Sequence, residues 1–292
     1  MTKILITGVT GFIGSNLYDF LSSKDYSVIG ISHSQNNTLF PKISLLNYTK
    51  LNSFMEKNNF DIVIHLASLI EHSDPLKILN VNYNSTFNLL KSCVKNNVSN
   101  FIFSSSHAVY GKTRYLPIDE THNTYSKTSY GISKLMGENL CKLFNNNFNL
   151  NTSILRISSV YGKNQPKTKL IPNLILNSMK SKKIFLNKYK NGFQIMDMIH
   201  VDDVCNSIFC AIKNHKNFGI YNIATGKSIT VEDIAKHIRK INNSEIIINN
   251  IPKKINHYKY DVKRAISDLK FNSKISFDRK IKEIYYDVIQ NE

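Results

Sequence analysis

The chain has 292 residues, which is enough for one large domain or for a large and a small one. A hydrophobic content of 42% suits a folded globular protein, and no apolar run reaches the roughly 18 residues that a transmembrane helix needs. The net charge of +17 comes from lysines scattered along the chain, so we do not expect nucleic acid as a partner. A positive field of this kind favours a small anionic substrate.

The N-terminal residues and the cysteines indicate the cellular compartment and the state of the thiols. The apolar stretch between Met1 and Ile6 is too short for a signal peptide, so we expect a cytoplasmic protein with no membrane partner. None of the four cysteines forms a Cys-x-x-Cys pair, and each sits in an apolar or helical context. The pattern predicts free buried thiols and neither disulfides nor a metal site at Cys93, Cys141, Cys205 and Cys210.

Strand and helix signals alternate along most of the chain. Short β-branched apolar runs predict strands at Lys3–Thr7, Ser27–Ile31, Asp61–Leu66, Asn100–Ser104, Thr152–Ile157 and Gly219–Ile223. Helical spacing predicts helices over Ile13–Leu21, Leu51–Asn58, Asn80–Asn96, Ser129–Phe144, Leu170–Met179 and Val201–Lys213. This alternation favours an α/β fold with a Rossmann-type doubly wound parallel sheet.

The pattern loosens after Gly162. It predicts a strand at Lys183–Leu186, a helix from Thr230, a strand at Glu245–Asn249 and a last helix from Asp278. We expect a smaller C-terminal α+β region that is interleaved with the large domain. Residues 1–165 and 197–225 would form the dinucleotide-binding domain, and residues 166–196 and 226–292 the substrate region.

A glycine-rich turn follows the first predicted strand. Gly8, Gly11 and Gly14 lie three residues apart and precede a predicted helix, which is the context that a dinucleotide-binding turn needs. The first glycine allows a tight turn, the second lets a pyrophosphate approach the backbone, and the third lets helix and strand pack closely. The free N–H groups of the helix would then bind the phosphates.

The end of the second predicted strand bears on the choice between NAD and NADP. An acidic residue there would bind the ribose hydroxyls of NAD and repel a 2′-phosphate. The chain instead has Ser32, His33 and Ser34, with no carboxylate. This favours NADP, and NAD is the alternative.

Tyr130 and Lys134 lie four residues apart, on one face of a predicted helix. A phenol beside an ammonium can donate and accept a proton near neutral pH. An ammonium about 4 Å away would lower the phenol pKa, ordinarily about 10, by roughly three units at an effective dielectric of 20 if water is excluded. Upstream, Ser104, Ser105 and Ser106, at and just after the end of the predicted strand Asn100–Ser104, offer hydroxyls for the same site.

Taken together, these motifs resemble the extended short-chain dehydrogenase/reductase family, in the branch of NAD(P)-dependent nucleotide-sugar epimerases and dehydratases. The matching segments, in chain order, are Thr7–Gly14, Asp61–Ala67, Asn80–Leu90, Phe103–Gly111, Tyr130 with Lys134, Leu155–Gly162 and Asp197–Val204. The resemblance implies hydride transfer between nicotinamide and a sugar carbon, with Ser106, Tyr130 and Lys134 as catalytic residues. It also implies a nucleotide-linked sugar as substrate and a homodimer formed through helices near Asn82–Val94 and Ser129–Phe144.

The glycine turn, the second strand and the resemblance together give one set of candidate cofactor-binding residues. These are Gly8, Thr10, Gly11, Phe12, Ile13, Gly14, Ser32, His33, Ser34, Leu66, Ala67, Asn82, Ser104, Tyr130 and Lys134.

Two departures from the family pattern narrow the reaction. Dehydratases of the family place an acid pair directly after the catalytic hydroxyl, where this chain has His107 and Ala108, so we do not expect a 4,6-dehydratase. Many relatives have Arg where Met196 stands, and Arg is the best bidentate phosphate ligand. Other cations would then hold the diphosphate, the candidates being Lys163, Lys167, Lys169, Lys188 and Arg264.

Three functions remain from the sequence. The first is an NAD(P)-dependent reductase of a nucleotide-linked 4-keto-6-deoxyhexose, with Tyr130 as proton donor. The second is a nucleotide-sugar 4-epimerase that retains NAD. The third is a dinucleotide-binding protein without catalytic activity, against which the intact set of Ser106, Tyr130 and Lys134 argues.

Overall fold

The structure is a computed structural model that describes residues 1–33 and 39–290. Its strands are β1 (Lys3–Thr7), β2 (Ser27–Ile31), β3 (Ile62–His65), β4 (Asn100–Ser106), β5 (Asn151–Ile157), β6 (Ser159–Tyr161), β7 (Lys183–Tyr189), β8 (Ile195–Met196), β9 (Met198–His200), β10 (Phe218–Ile223), β11 (Ile229–Thr230) and β12 (Glu245–Ile251). Its helices are α1 (Phe12–Ser22), α2 (Tyr48–Asn58), α3 (Pro75–Lys95), α4 (Ser129–Phe148), α5 (Leu170–Ser181), α6 (Val201–Lys213), α7 (Val231–Asn242), α8 (Lys263–Leu269) and α9 (Phe277–Gln290), with a 3₁₀ turn at His107–Val109. In these two ranges, every helix is too short or too polar to cross a bilayer.

Six of the described strands form one parallel sheet in the order β2-β1-β3-β4-β5-β10. The strand order reverses at β1, because β2 lies on one side of it and β3 on the other. In open α/β sheets, ligands bind beyond the carboxyl ends of the strands at such a reversal. The Rossmann-type doubly wound sheet predicted from the sequence is confirmed, and the site is expected where β1 and β3 end.

Alternating side chains of β1 divide the core between the two faces of the sheet. Ile4 and Ile6 are buried in the cluster that contains Leu17 of α1 and Val204 of α6. Leu5, between them, is buried in the cluster that α2, α3 and α4 cover. Helices thus cover both faces, which explains why the strand sequences are apolar nearly throughout.

The smaller region has an apolar core of its own. The strands β7 and β12 pair in parallel, and helices α5, α7 and α9 pack around them. The residues buried there include Ile175, Ile184, Ile238 and Ile284. In sequence this region is interleaved with the large one, because β9, α6 and β10 lie between β7 and β12.

Several element boundaries differ from the sequence predictions because of helix caps. The helix α2 begins at Tyr48, three residues early, where the Asn47 side chain accepts a hydrogen bond from the Lys50 N–H at 3.0 Å. The helix α3 begins at Pro75, five residues early, since Asp74 caps the Leu76 N–H at 2.9 Å and proline suits the first turn. The helix α8 and the short strands β6, β8, β9 and β11 were not predicted.

Candidate active site

The glycine turn lies where the strand order reverses. Gly8 has a φ of +73°, and a Cβ atom there would lie 2.7 Å from the Ala67 nitrogen, just beyond β3. A Cβ atom on Gly14 would lie 2.1 Å from the Gly8 carbonyl oxygen. Both positions therefore require glycine, because β1, α1 and the end of β3 approach more closely than side chains allow.

Gly11 leaves the N-terminus of α1 open. It is the exposed N-cap residue, and no side chain caps the helix there. An added Cβ atom would meet only the Gly8 carbonyl oxygen, at 3.2 Å. The first N–H groups of α1, from Phe12 and Ile13 onward, have no partner within the helix and form an anion site. The turn thus fits the pyrophosphate of a dinucleotide.

His65 ties β1, β3 and α3 together beneath this turn. The Thr7 hydroxyl lies 2.7 Å from His65 Nδ1 and accepts from the Ala67 N–H at 3.2 Å. His65 Nε2 lies 3.1 Å from the Thr86 hydroxyl, which donates onward to the Asn82 carbonyl. Burial lowers the pKa of His65 to about 3, and the Lys134 charge acts in the same direction. His65 is therefore a neutral structural link.

Asn82 holds the loop after β3 against α4. Its Oδ1 accepts from the Leu69 N–H at 2.7 Å, and its Nδ2 donates to the Leu69 carbonyl and to the Ser133 hydroxyl, both at 2.9 Å. Both the oxygen and the nitrogen of the Asn82 amide therefore already bind groups of the protein. Its contribution to cofactor binding stays a prediction, and the structure gives it a positioning role for the segment that begins at Leu66 and Ala67.

Ser106 and Tyr130 meet above the carboxyl end of β4. Ser106 is the last residue of β4, and Tyr130 is the second residue of α4, whose N-terminus is capped by the Thr128 hydroxyl. Burial raises the pKa of Tyr130 to about 12, and a side-chain hydrogen bond with Ser106 acts in the opposite direction. The two hydroxyls predicted from the sequence to be catalytic are therefore brought together.

Lys134 lies one turn along α4, fully buried beneath Tyr130. Its Nζ donates to the Ser104 carbonyl at 2.7 Å and lies 5.7 Å from the centre of the Tyr130 ring. Burial lowers the pKa of Lys134 to about 7, and the negative charge of Glu138 acts in the opposite direction. Burial also raises the pKa of Cys141 well above its ordinary value, so the thiol is neutral and Glu138 provides the opposing charge.

The expected lowering of the Tyr130 pKa by Lys134 is wrong for this structure. The ammonium is directed at the Ser104 carbonyl, and burial lowers the fraction of Lys134 that is protonated near neutral pH. Desolvation of the phenol therefore dominates, and its pKa rises. Ser104 in turn donates its hydroxyl to the His65 carbonyl at 2.8 Å, which fixes the strand end to which Lys134 binds.

The end of β2 lies against the glycine turn. The buried Ser32 hydroxyl is 3.3 Å from the Thr10 hydroxyl, and His33 is exposed beside it. Ser34, a predicted cofactor residue, lies outside the described residues. The structure adds Lys42, which pairs with Ser32 through the backbone and which the sequence did not single out.

A buried ion pair behind Tyr130 and Lys134 was not predicted from the sequence. Glu138 on α4 accepts from Arg156 on β5 at 2.9 and 2.7 Å, and Ser105 donates to the same carboxylate. The sequence does contain one indication of this pair, because Glu138 lies one helical turn beyond Lys134 and on the same face of the predicted helix.

Two residues that depart from the family pattern, His107 and Met196, pack against other side chains of the protein. His107 packs edge-on against the Tyr258 ring at 5.6 Å, and burial lowers its pKa to about 4. Met196 packs against the core of the smaller region. Among the lysines suggested for the diphosphate, Lys169 directly precedes α5 and pairs with Glu71, in the loop after β3, at 3.4 Å.

Comparison with known proteins identifies the family. A sequence model of the NAD-dependent epimerase/dehydratase family matches residues 4–224. The chain belongs to this family. This epimerase/dehydratase chain is 35% identical, over 252 residues, to a putative UDP-glucose 4-epimerase of Methanocaldococcus jannaschii, a match that covers 80% of the chain and 81% of the relative.

Further relatives of this epimerase/dehydratase chain differ in activity. It is 28% identical over 316 residues to dTDP-4-dehydro-6-deoxyglucose reductase of Escherichia coli, covering 96% of each. The structure of UDP-glucuronic acid 4-epimerase from Bacillus cereus, in complex with UDP-glucuronic acid and NAD, superposes with a TM-score of 0.87 at 26% identity over 100% of both chains. The protein is thus an enzyme of the extended short-chain dehydrogenase/reductase type, as the sequence predicted.

Proposed function

We propose that the protein catalyses reduction of a nucleotide-linked 4-keto-6-deoxyhexose. The observation that carries this proposal is the meeting of Ser106 and Tyr130 at one point, with Lys134 buried beneath them and no acid pair beside them. Ala108 has no ionisable group, and His107 is held neutral by burial, since its pKa falls to about 4. Elimination of water would need both an acid and a base at this place, whereas carbonyl reduction needs one proton donor.

Each residue of the site has a defined part in that reaction. Tyr130 donates its phenolic proton to the oxygen at C4, and Ser106 hydrogen bonds to the same oxygen and orients it. Lys134 would stabilise the phenolate that remains once its ammonium turns from the Ser104 carbonyl toward the phenolic oxygen. A nicotinamide cofactor, when bound, supplies the hydride, and the glycine turn with the N-terminus of α1 would hold its pyrophosphate.

Two further observations support a reductase. The Escherichia coli relative, a dTDP-4-dehydro-6-deoxyglucose reductase, spans 96% of this chain. In addition, Ser32 and His33 leave the end of β2 without a carboxylate, which favours NADPH as an exchangeable reductant over a retained NAD.

A second candidate function is nucleotide-sugar 4-epimerisation with retained NAD. It is favoured by the relative from Methanocaldococcus jannaschii, a putative UDP-glucose 4-epimerase with 35% identity. The same three residues would serve it, because Tyr130 would act as base and then as acid at the C4 oxygen.

We further propose that residues 166–196 and 226–292 bind the nucleotide sugar, next to the dinucleotide-binding domain of residues 1–165 and 197–225. The separate apolar core around β7 and β12 supports this division. So does Lys169, which stands at the N-terminus of α5 and could meet a diphosphate without an Arg at position 196.

The proposed quaternary state is a homodimer formed through α3 and α4. The exposed fractions of Ile132, Leu143 and Phe148 on α4 are 38%, 48% and 52%, so this helix offers apolar surface that a second copy of the chain could cover. We also place the enzyme in the cytoplasm, the compartment in which free cysteines such as these four persist. Light scattering on the purified protein tests the dimer, and a monomeric mass would contradict it.

Assays with a panel of nucleotide sugars separate the two activities. Stoichiometric loss of reduced-cofactor absorbance upon product formation supports the reductase, whereas product without net cofactor consumption supports the epimerase. Tyr130→Phe is expected to abolish turnover while dinucleotide binding persists, and the control Tyr286→Phe, on the exposed side of α9, should behave like the wild type. Full turnover by Tyr130→Phe would refute the proposed proton donor.

A further inference from the structure

We propose that Lys42 binds the 2′-phosphate of NADPH and thereby sets the cofactor preference of this enzyme. The inference rests on the proposed dinucleotide cofactor and assigns a residue that lies ten positions beyond Ser32 in the sequence. It depends on three features of the fold: the pairing of Lys42 with Ser32, the anchoring of its backbone, and the local charge.

Lys42 lies directly beside the carboxyl end of β2. The Ser32 N–H donates to the Pro41 carbonyl at 3.1 Å, and the Ile43 N–H donates to the Ser32 carbonyl at 3.2 Å. These two hydrogen bonds form a parallel bridge in which Ser32 and Lys42 are paired. Paired backbones of this kind lie about 4.8 Å apart.

The pairing also determines on which face the Lys42 side chain leaves the backbone. Directly paired residues project their side chains from the same face of a sheet. The Ser32 hydroxyl is 3.3 Å from the Thr10 hydroxyl, so that face is the one toward the glycine turn. The flexible four-carbon stem of Lys42 therefore starts on the side where the adenosine ribose of a dinucleotide would lie.

Contacts on both sides of Lys42 anchor its backbone. Before it, the Phe40 ring packs edge-on against Tyr18 of α1, with ring centres 4.9 Å apart. After it, the Leu45 carbonyl accepts from the Asn88 side chain of α3 at 2.9 Å. Lys42 is thus presented at a fixed place between the two helices.

The charge at this place suits a phosphate. Lys42 is exposed and forms no ion pair with another residue of ranges 1–33 and 39–290. Ser32 and His33, which directly follow β2, carry no carboxylate. An acidic residue here would hold the ribose hydroxyls of NAD, whereas a cation beside a hydroxyl attracts the additional phosphate of NADP.

The test is equilibrium binding of NADPH and NADH, followed by ligand fluorescence, to the wild type, Lys42→Met and Lys216→Met. Lys216 is a matched control because it is exposed and precedes β10, which forms the opposite edge of the sheet from β2. Adenosine 2′,5′-bisphosphate and AMP serve as probes that isolate the 2′-phosphate. Circular dichroism verifies that each variant is folded.

We expect Lys42→Met to weaken the binding of NADPH and of the bisphosphate about tenfold, because one charge-assisted hydrogen bond is lost. The affinities for NADH and AMP, which have no 2′-phosphate, should change less than about twofold. High salt should reduce the difference. Tighter binding of NADH by the wild type, an equal effect of Lys42→Met on both cofactors, or an equal effect of Lys216→Met would each overturn the role of Lys42. If the wild type binds neither cofactor, the proposed function itself fails.

Discussion

Glu138 and Arg156 form a buried bidentate ion pair that joins α4 to β5 behind the proposed catalytic residues. The Arg156 Nε and Nη2 atoms donate to the Glu138 carboxylate at 2.9 and 2.7 Å, and the exposed fractions of the two side chains are 5% and 4%. Ser105, next to Ser106, donates to the same carboxylate at 2.5 Å. The pair therefore fixes the end of β4 relative to the helix face that carries Lys134.

Glu138→Gln is expected to lower the free energy of unfolding by about 3–5 kcal/mol, because it leaves the Arg156 guanidinium buried without a charged partner. Denaturant unfolding measures this loss. The control is the double variant Glu138→Met with Arg156→Met, which removes both charges and should lose much less stability. A single variant as stable as the wild type would show that the pair does not hold the site together.

Lys134→Met should stabilise the fold below about pH 7 while abolishing turnover. Burial lowers the pKa of Lys134 to about 7 from 10.5, so below pH 7 the folded protein keeps a buried ammonium that is disfavoured. As pH rises from about 7 to 10.5, the folded state loses this proton before the unfolded state does. The stability advantage of Lys134→Met over the wild type should therefore be largest below pH 7 and decline toward pH 10.5.

Unfolding of both proteins across this pH range measures the effect. Lys142→Met is the matched control, because it removes an exposed lysine from the same helix. A constant difference between Lys134→Met and the wild type at all pH values would mean that Lys134 keeps its ordinary pKa.

The cysteines should react with a thiol reagent in a defined order. Burial raises the pKa of Cys93 and Cys141 well above the ordinary value and that of Cys205 to about 12, whereas Cys210 is only partly buried. Since the thiolate is the reactive form, Cys210 should be labelled first and the others only upon unfolding. Kinetics of labelling, with Cys210→Ser as control, tests this order. Rapid labelling of that variant would contradict the buried thiols.

Local patterns were sufficient to predict the parts of the site that depend on sequence spacing. The three glycines predicted the turn at the end of β1, because only glycine permits the approach seen between Gly8 and Ala67. Helical spacing predicted that Tyr130 and Lys134 share a face. The start of α3 was also encoded locally, in Asp74 followed by Pro75, but apolar periodicity alone does not detect caps.

Pairings between distant segments could not be predicted from one sequence. Glu138 meets Arg156, and Ser32 meets Lys42, only because the sheet and its helices bring them together. Strands such as β8, with two residues, are shorter than any window in which alternation can be recognised. The pKa of Tyr130 was predicted in the wrong direction for the same reason, since burial and the Ser104 carbonyl are properties of the fold.

Gly11→Ala and Gly14→Ala lie on the same turn but should affect different properties. Gly14→Ala should lower the stability of the fold, and Gly11→Ala should weaken dinucleotide binding. In Gly14→Ala the new methyl group would lie 2.1 Å from the Gly8 carbonyl oxygen, so the turn cannot form and the melting temperature should fall sharply. In Gly11→Ala the methyl group meets one atom at 3.2 Å, and the fold should persist. The methyl group would instead occupy the space before the N-terminus of α1, where a pyrophosphate is expected.

Thermal unfolding together with dinucleotide titration separates the two effects. Gly11→Ala should melt near the wild type but bind the dinucleotide at least about tenfold more weakly, a loss of roughly 1.4 kcal/mol. Gly14→Ala should already be destabilised without any ligand. Wild-type affinity in Gly11→Ala would place the pyrophosphate away from the turn, because a methyl group at the N-cap of α1 could not then be in its path.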